Sequence, residues 1–230
     1  MQKPLAVVWM PLLLQLSFSV YAESTIIDSA LWTGGLFLLE RENGLDYSME
    51  YQLRLDEDMS SLSSQFVEFL GYHKATENLL FNGGYRFTKR PDRDEHRLYL
   101  GGFADLTKSS RGLWEYADHF RATLQVGYQH DFNVKFDDRL MDSNSVRWIL
   151  VASRPGTEKL RPFVLGGMLT TWNDAYSFGV DKIRLGGGFQ YQFNEQSRVR
   201  LQYIWEKAKF RTPEKQTNII WLRYEMRFGN

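Results

Sequence analysis

The chain has 230 residues, 28 basic and 28 acidic side chains, no cysteine and an aromatic content of 15%. Apolar residues at 43% and charged residues at 24% exclude a disordered chain, and the lack of cysteine excludes a disulfide framework. The balanced formal charge argues against a nucleic-acid partner, which calls for a basic excess.

Met1-Gln2-Lys3 supplies a basic start, Leu5 to Leu16 an apolar stretch broken by Pro11 and Gln15, and Val20-Tyr21-Ala22 a small-residue exit. That order predicts a cleaved signal peptide over residues 1–22 and one mature domain over 23–230. The apolar stretch is too short to span the roughly 30 Å of bilayer hydrocarbon. No cysteine follows it, which excludes a lipoprotein anchor. After Ala22 no window approaches about eighteen uninterrupted apolar residues, so a helix-spanning protein is excluded.

A period of two then recurs along the chain, the signature of strands with two unlike faces. Trp32–Arg41 is a first, weaker strand, and Thr25–Ala30 a candidate for an extra one. Tyr47, Met49, Tyr51, Leu53 and Leu55 oppose Ser48, Glu50, Gln52, Arg54 and Asp56. Phe81, Gly83, Tyr85 and Phe87 oppose Asn82, Gly84, Arg86 and Thr88. Phe120 to Phe136 keeps one phase throughout, with Ala122, Leu124 and Val126 against Arg121, Thr123 and Gln125. Gln65–His73, Arg97–Asp105, Val146–Ala152 and Pro162–Thr171 are mixed on both faces, and their orientation stays open. Ile183, Leu185, Phe189 and Tyr191 oppose Lys182, Arg184, Gln190 and Gln192. Val199, Leu201, Tyr203 and Trp205 oppose Arg198, Arg200, Gln202 and Glu206. Ile220, Leu222, Tyr224, Met226 and Phe228 close the series against Trp221, Arg223, Glu225 and Arg227.

Strands of about 9 to 13 residues match a tilted crossing of a bilayer. Short turns are expected at Glu42-Asn43-Gly44, Ala75–Asn78 and Asn194–Ser197. More polar connections are expected at Asp56–Ser63, Lys89–Asp94, Asp137–Asn144 and Arg211–Gln216, which suits short inner turns and longer outer loops. The fold class is therefore all-β, a transmembrane antiparallel up-and-down β-barrel of 10–12 strands. Eleven segments are legible, but both ends on one side require an even number, with twelve favoured.

Alternation alone fits a soluble sandwich as well as a membrane barrel. Rings near strand ends (Trp32, Tyr47, Phe87, Tyr191, Trp205, Trp221 and Phe228) favour bilayer interfaces. The export signal, and a final strand with Phe228 almost at its end, point to the cell outer membrane. The charged face then lines the lumen, with Glu50, Arg54, Arg86, Arg121, Arg184, Arg198, Arg200, Glu206, Arg223, Glu225 and Arg227 as candidates. Glu206 and Glu225 are expected in a cross-strand ladder with Arg223. Such pairs either fill and stiffen a narrow barrel or, because arginines outnumber acids, line a weakly anion-favouring pore.

At Gly83-Gly84-Tyr85-Arg86-Phe87, then Glu95-His96-Arg97-Leu98-Tyr99, the chain resembles the outer-membrane β-barrel family catalogued as domain of unknown function 2490. Trp32 and Leu222-Arg223-Tyr224 match the family's opening and closing strands, and the resemblance runs from Leu31 to Phe228. Phe120-Arg121-Ala122-Thr123 lacks the acid that the family pairs with arginine. The resemblance implies a place and a shape, and no reaction.

Catalysis has little footing. His73, His96, His119 and His130 have no serine two residues away, so a lipid-acting Ser–His site would have to assemble in space. Asp92, Asp94, Glu95 and His96 interleave with Arg90, Arg93 and Arg97, which reads as a salt-bridged loop. Four scattered histidines without cysteine support no metal or haem, and neither Gly34-Gly35 nor Gly186-Gly187-Gly188 opens a helix as a phosphate loop would. The expectation is a non-enzymatic integral outer-membrane barrel without cofactor, with a structural, passive-transport or binding role. Its partners are outer-membrane lipid and, during insertion, the assembly machinery. The alternatives are an outer-membrane lipid hydrolase and a soluble periplasmic ligand-binding barrel.

Overall fold

A computed structural model describes residues 25–41, 45–109, 121–136, 139–154, 159–172, 179–208 and 214–229. The segment expected to be a signal peptide, the turn expected at Glu42-Asn43-Gly44, and His119 and Phe120 lie outside them, as do Asp137 and the start of the Arg211–Gln216 connection.

The chain order is β1 (Ile26–Leu39), β2 (Leu45–Asp56), β3 (Ser61–Lys74), β4 (Leu79–Lys89) and β5 (Asp94–Asp105). A single helical turn, α1 (Leu106–Ser109), precedes β6 (Arg121–Phe136) and β7 (Arg139–Ser153). Then come β8 (Leu160–Trp172), β9 (Gly179–Gln192), β10 (Ser197–Ala208) and β11 (Lys215–Phe228). All eleven strands join in one closed barrel. Each hydrogen-bonds to its sequence neighbours in antiparallel fashion, and closure leaves no open edge.

Eleven strands lie within the expected range, but the expected even number is replaced. The barrel closes through a parallel pair, β1 with β11, running in register from Ile26 beside Lys215 to Leu39 beside Phe228. Thr25–Ala30 adds no strand of its own; Ile26–Ala30 is the first third of β1. Strands β1 and β11 therefore start at one rim, called the first rim here, and end together at the second.

The expected contrast between short turns and long loops is also absent. Glu57–Ser60 and Arg90–Arg93 at the first rim are as brief as Ala75–Asn78 and Phe193–Gln196 at the second. The widest separation in sequence between consecutive strands, from Asp105 at the end of β5 to Arg121 at the start of β6, falls at the second rim. Asp137–Asn144 is mostly the start of β7, because the alternation of Ser143, Ser145 and Arg147 continues the pleat.

The phase expected through Phe120–Phe136 breaks once. Pairing of β6 with β7 shifts between Asp131 and Val134, and Asn133 takes a φ of 59°, the left-handed conformation that asparagine tolerates. Two glycines serve close approach. A side chain at Gly127 would place its Cβ 2.2 Å from the Tyr99 hydroxyl, so the ring of Tyr99 lies over the bare backbone. At Gly34 the same atom would fall 2.0 Å from the Tyr51 carbonyl, where β1 crowds β2.

The distribution of polarity is inside-out. Leu100 is 66% exposed and Val164 60% exposed on the outer surface, with Phe69, Leu185, Phe189, Leu201, Tyr203 and Leu222 also exposed. Gln52, Glu225, Ser64 and Ser145 are among the most deeply buried side chains, beside a small apolar cluster of Ala30, Trp32, Ile204 and Ile219. A water-soluble protein seldom shows an apolar surface continuous around its whole girth, whereas hydrocarbon requires one. Rings gather toward both ends of this band: Phe37 stacks with Phe228 at 6.5 Å and Tyr191 meets Phe193 at 5.1 Å near the second rim. Phe87 and His96, and Tyr128 and Trp172, do the same near the first. Such paired girdles bound the apolar band of transmembrane barrels, and this is the fold of one. No helix among the described residues is long and apolar enough to cross a membrane.

Candidate functional site

The lumen is built by the alternation itself. Positions of one parity point inward on each strand, and they carry arginines, carboxylates, amides and aromatic rings. Trp32 and Trp221, expected at the membrane interface, face the lumen instead. They are side-by-side partners across the parallel seam and meet edge to face at 5.7 Å. The reason is parity: Trp221 shares its face with Arg223 and Glu225, and the seam register puts Trp32 on that face too.

Five inward rings, those of Trp32, Phe66, Tyr99, Phe163 and Trp221, are each covered by a guanidinium, while Tyr72 and Phe103 pack on each other at 6.3 Å. Arg54 sits 4.2 Å from the ring centroid of Trp32 and 4.9 Å from that of Phe66. Arg86 lies 4.0 Å from Phe66, Arg147 5.2 Å from Tyr99, Arg200 5.0 Å from Phe163 and Arg223 5.0 Å from Trp221. Guanidinium is weakly hydrated for a cation and is attracted by the negative face of a ring, so these pairs hold arginines inside without neutralising them.

Five carboxylates, Glu50, Glu68, Asp131, Glu206 and Glu225, are engaged by cations. Glu225, with no exposed surface, accepts from Arg198 and, at 2.7 Å, from Arg223, and lies 3.7 Å from Arg200. Arg223 also reaches Glu50 at 3.4 Å. Glu68 pairs with Arg86 at 2.7 Å, Asp131 with Arg97, and Glu206 with Arg184 at 2.6 Å and Lys182 at 3.5 Å. The ladder expected of Glu206, Glu225 and Arg223 divides in two. The β10–β11 register sets Arg198 opposite Glu225 but Glu206 opposite Thr217, so Glu206 turns to β9. Arg54 and Arg147 form no ion pair among the described residues. Arg54 donates to the Gln52 side-chain carbonyl at 2.8 Å and Arg147 to the Tyr99 hydroxyl at 3.4 Å.

Of the residues named from sequence, Glu50, Arg54, Arg86, Arg184, Arg198, Arg200, Glu206, Arg223 and Glu225 come together inside the barrel. Arg121 is exposed at the start of β6, and Arg227 reaches Glu40 at 3.2 Å at the second rim, so neither joins the girdle. Sequence reasoning missed Glu68, Arg97, Asp131, Arg147 and the five rings. In β3, β5 and β7 apolar residues on both faces hid the parity, whereas Asp131 and Trp221 lie on the polar faces of segments whose alternation is legible.

Two cavities indent the lumen at opposite rims. One of about 250 Å³ at the second rim is lined by Arg161, Arg198, Arg227, Gln192 and the Asn194–Ser197 turn. The other, about 110 Å³ at the first rim, lies among Trp32, Arg54, Ser64, Lys182, Arg184 and Glu206.

The other candidates for chemistry fall elsewhere. His130 bonds Asn144 at 2.8 Å on the outer surface, yet its neighbours there are Leu98, Tyr128 and Phe132, and no serine stands beside it. His96 and the Tyr85 hydroxyl share a 2.5 Å hydrogen bond, also on the outside. The acidic and basic run near β5 is a salt-bridged turn: Arg93 holds Asp92 and Glu95, Arg90 holds Glu95, and Lys89 holds Asp94. Arg97 leaves that group for Asp131 on β6. Both glycine runs sit inside strands β1 and β9. Among the described residues no three His, Asp or Glu side chains are grouped to hold a metal.

Comparison with known proteins agrees with this architecture. A solved structure described as a bacterial polysaccharide outer membrane secretin has a TM-score of 0.52 at 12% identity, covering 79% of this chain and 63% of its own. This chain therefore spans less than two thirds of that protein, and the likeness is one of fold. A KdgM porin has a TM-score of 0.45 at 12% identity, covering 74% of this chain and 80% of its own. No curated protein matches. The family model described as protein of unknown function, DUF2490, matches residues 31–218, from the middle of β1 into β11. That match spans most of the chain, and the protein belongs to the DUF2490 family.

Proposed function

We propose that this protein is an integral barrel of the bacterial outer membrane that lets small anionic solutes pass, without catalysis. One observation carries the reading: Glu50, Glu68, Glu206, Glu225 and Asp131 are each paired with a cation, while Arg54 and Arg147 keep their charge against aromatic rings and form no ion pair among the described residues. The interior field is consequently positive, and fixed positive side chains favour anions over cations in a narrow aqueous path. The outward apolar band and two ring girdles support placement in a membrane. Barrels of about eight strands are packed shut and those of about sixteen hold channels, so eleven strands suit a constricted route. A soluble ligand-binding barrel needs an apolar lumen and a wettable outside, the reverse of what is found.

The test is a planar bilayer recording of the refolded chain under a potassium chloride gradient. Discrete conductance steps with a reversal potential on the chloride side are expected. Repeated insertion without steps would leave a structural plug, and a cation-side reversal would contradict the charge argument.

A further inference from the structure

The cavity at the first rim has a feature that general lumen polarity does not require. Trp32, Arg54 and Ser64 are successive cross-strand partners on β1, β2 and β3, so three donors stand in one row across the wall. Trp32 is 6% exposed and its indole Nε1 has no hydrogen-bond partner; Ser64 is 1% exposed and its hydroxyl has none either. Arg54, sandwiched between the rings of Trp32 and Phe66, spends one bond on Gln52 and makes no ion pair. All three line the same cavity. A buried donor left without an acceptor costs about 1–3 kcal/mol, so the indole and the hydroxyl, one on each side of Arg54, both call for an acceptor.

We infer that this cavity is a binding site for the oxyanion group of a small solute, a carboxylate, sulfate or phosphate, held by Arg54 with the Trp32 indole and the Ser64 hydroxyl. Further cations surround it: Lys182 and Arg184, both shared with Glu206, Arg90, bound to Glu95, and Lys215, bound to Asp28. Their partners hold these four in place, and Arg54 is the lining cation without an ion pair among the described residues. Asp56 and Glu206 also line the cavity, and they limit it to one anionic group rather than a chain of them. Planar guanidinium suits a two-oxygen grip, and a volume of about 110 Å³ admits a small anion with a single water.

The inference rests on the anion-accepting lumen proposed above but not on conduction, and its test needs no membrane current. Detergent-purified full-length barrel is titrated with sodium sulfate, inorganic phosphate and acetate at constant ionic strength against chloride, with binding read by calorimetry and by thermal unfolding. Saturable binding by at least one oxyanion is expected, with a rise in unfolding temperature that chloride does not give. Whichever of the three binds tightest names the solute class. Arg54→Gln should abolish it; Trp32→Phe, which keeps the ring and removes the donor, and Ser64→Ala should each weaken it roughly threefold to tenfold. Equal behaviour in chloride, or Trp32→Phe and Ser64→Ala titrating like the parent, would mean an adventitious ion only and overturn the site. If Arg54→Gln fails to fold, the other two variants decide. Binding without conductance removes the passage and keeps the site; conductance without binding does the reverse.

Discussion

Replacing Glu225 by glutamine is expected to cost about 3–5 kcal/mol of stability, the range for removing one partner from a buried charge cluster. Glu225 has no exposed surface and is the carboxylate that Arg198, Arg223 and Arg200 approach together. Glutamine keeps the shape and one acceptor but leaves three guanidiniums with only Glu50 near Arg223. Arg198→Gln should cost less, because Glu225 would retain Arg223 at 2.7 Å. Urea unfolding of the barrel in vesicles, followed by loss of the heat-sensitive gel mobility, measures both. Midpoints within about 0.5 kcal/mol of the parent, the usual range of surface changes, would show that the cluster is not buried as described.

The second large effect concerns the opposite face. Leu222 lies midway along β11, points outward and stands beside Leu201 and Thr33 on the neighbouring strands. Arginine there has to reach hydrocarbon at the depth where water is farthest, which costs about 2–4 kcal/mol in transmembrane barrels. Leu222→Phe, equally bulky and apolar, should leave stability near the parent value. On a water-facing surface the order would invert, with arginine harmless and phenylalanine promoting association. Comparing refolding yield and urea midpoint for the pair in vesicles distinguishes the two environments.

Strands with one purely apolar face were legible in the sequence, and their inward residues with them. Tyr47 to Asp56, Phe81 to Thr88 and Val199 to Arg227 all show this, since a strand between lipid and a charged lumen must segregate every second residue. Segments whose lumen face also carries rings were not. Phe66, Tyr99 and Phe163 are inward aromatics steadied by arginines from other strands, so apolar residues fall on both faces of their strands. The two seam tryptophans misled for the same reason: a ring beside arginine inside a barrel looks like a ring at an interface until its parity is read. The parallel seam had no local signal, because pairing between the first and last strands depends on closure around the whole girth. The bulge at Asn133 was equally silent, since asparagine occurs in ordinary strands too.

In the bilayer the apolar face meets lipid and the charged face is enclosed. The chain lacks cysteine, so single spin labels can be placed at will. Labels at Val164, Leu185 and Leu222, all outward, and at Lys182 and Gln192, which line the two cavities, are compared in lipid vesicles. Their collisions with dissolved oxygen, which concentrates in hydrocarbon, are set against those with a water-soluble nickel complex. Oxygen-dominated relaxation is expected at the first three and nickel-dominated relaxation at the last two. Oxygen-shielded, immobile labels at Val164, Leu185 and Leu222 would place a packed protein core where lipid should be, and contradict that arrangement.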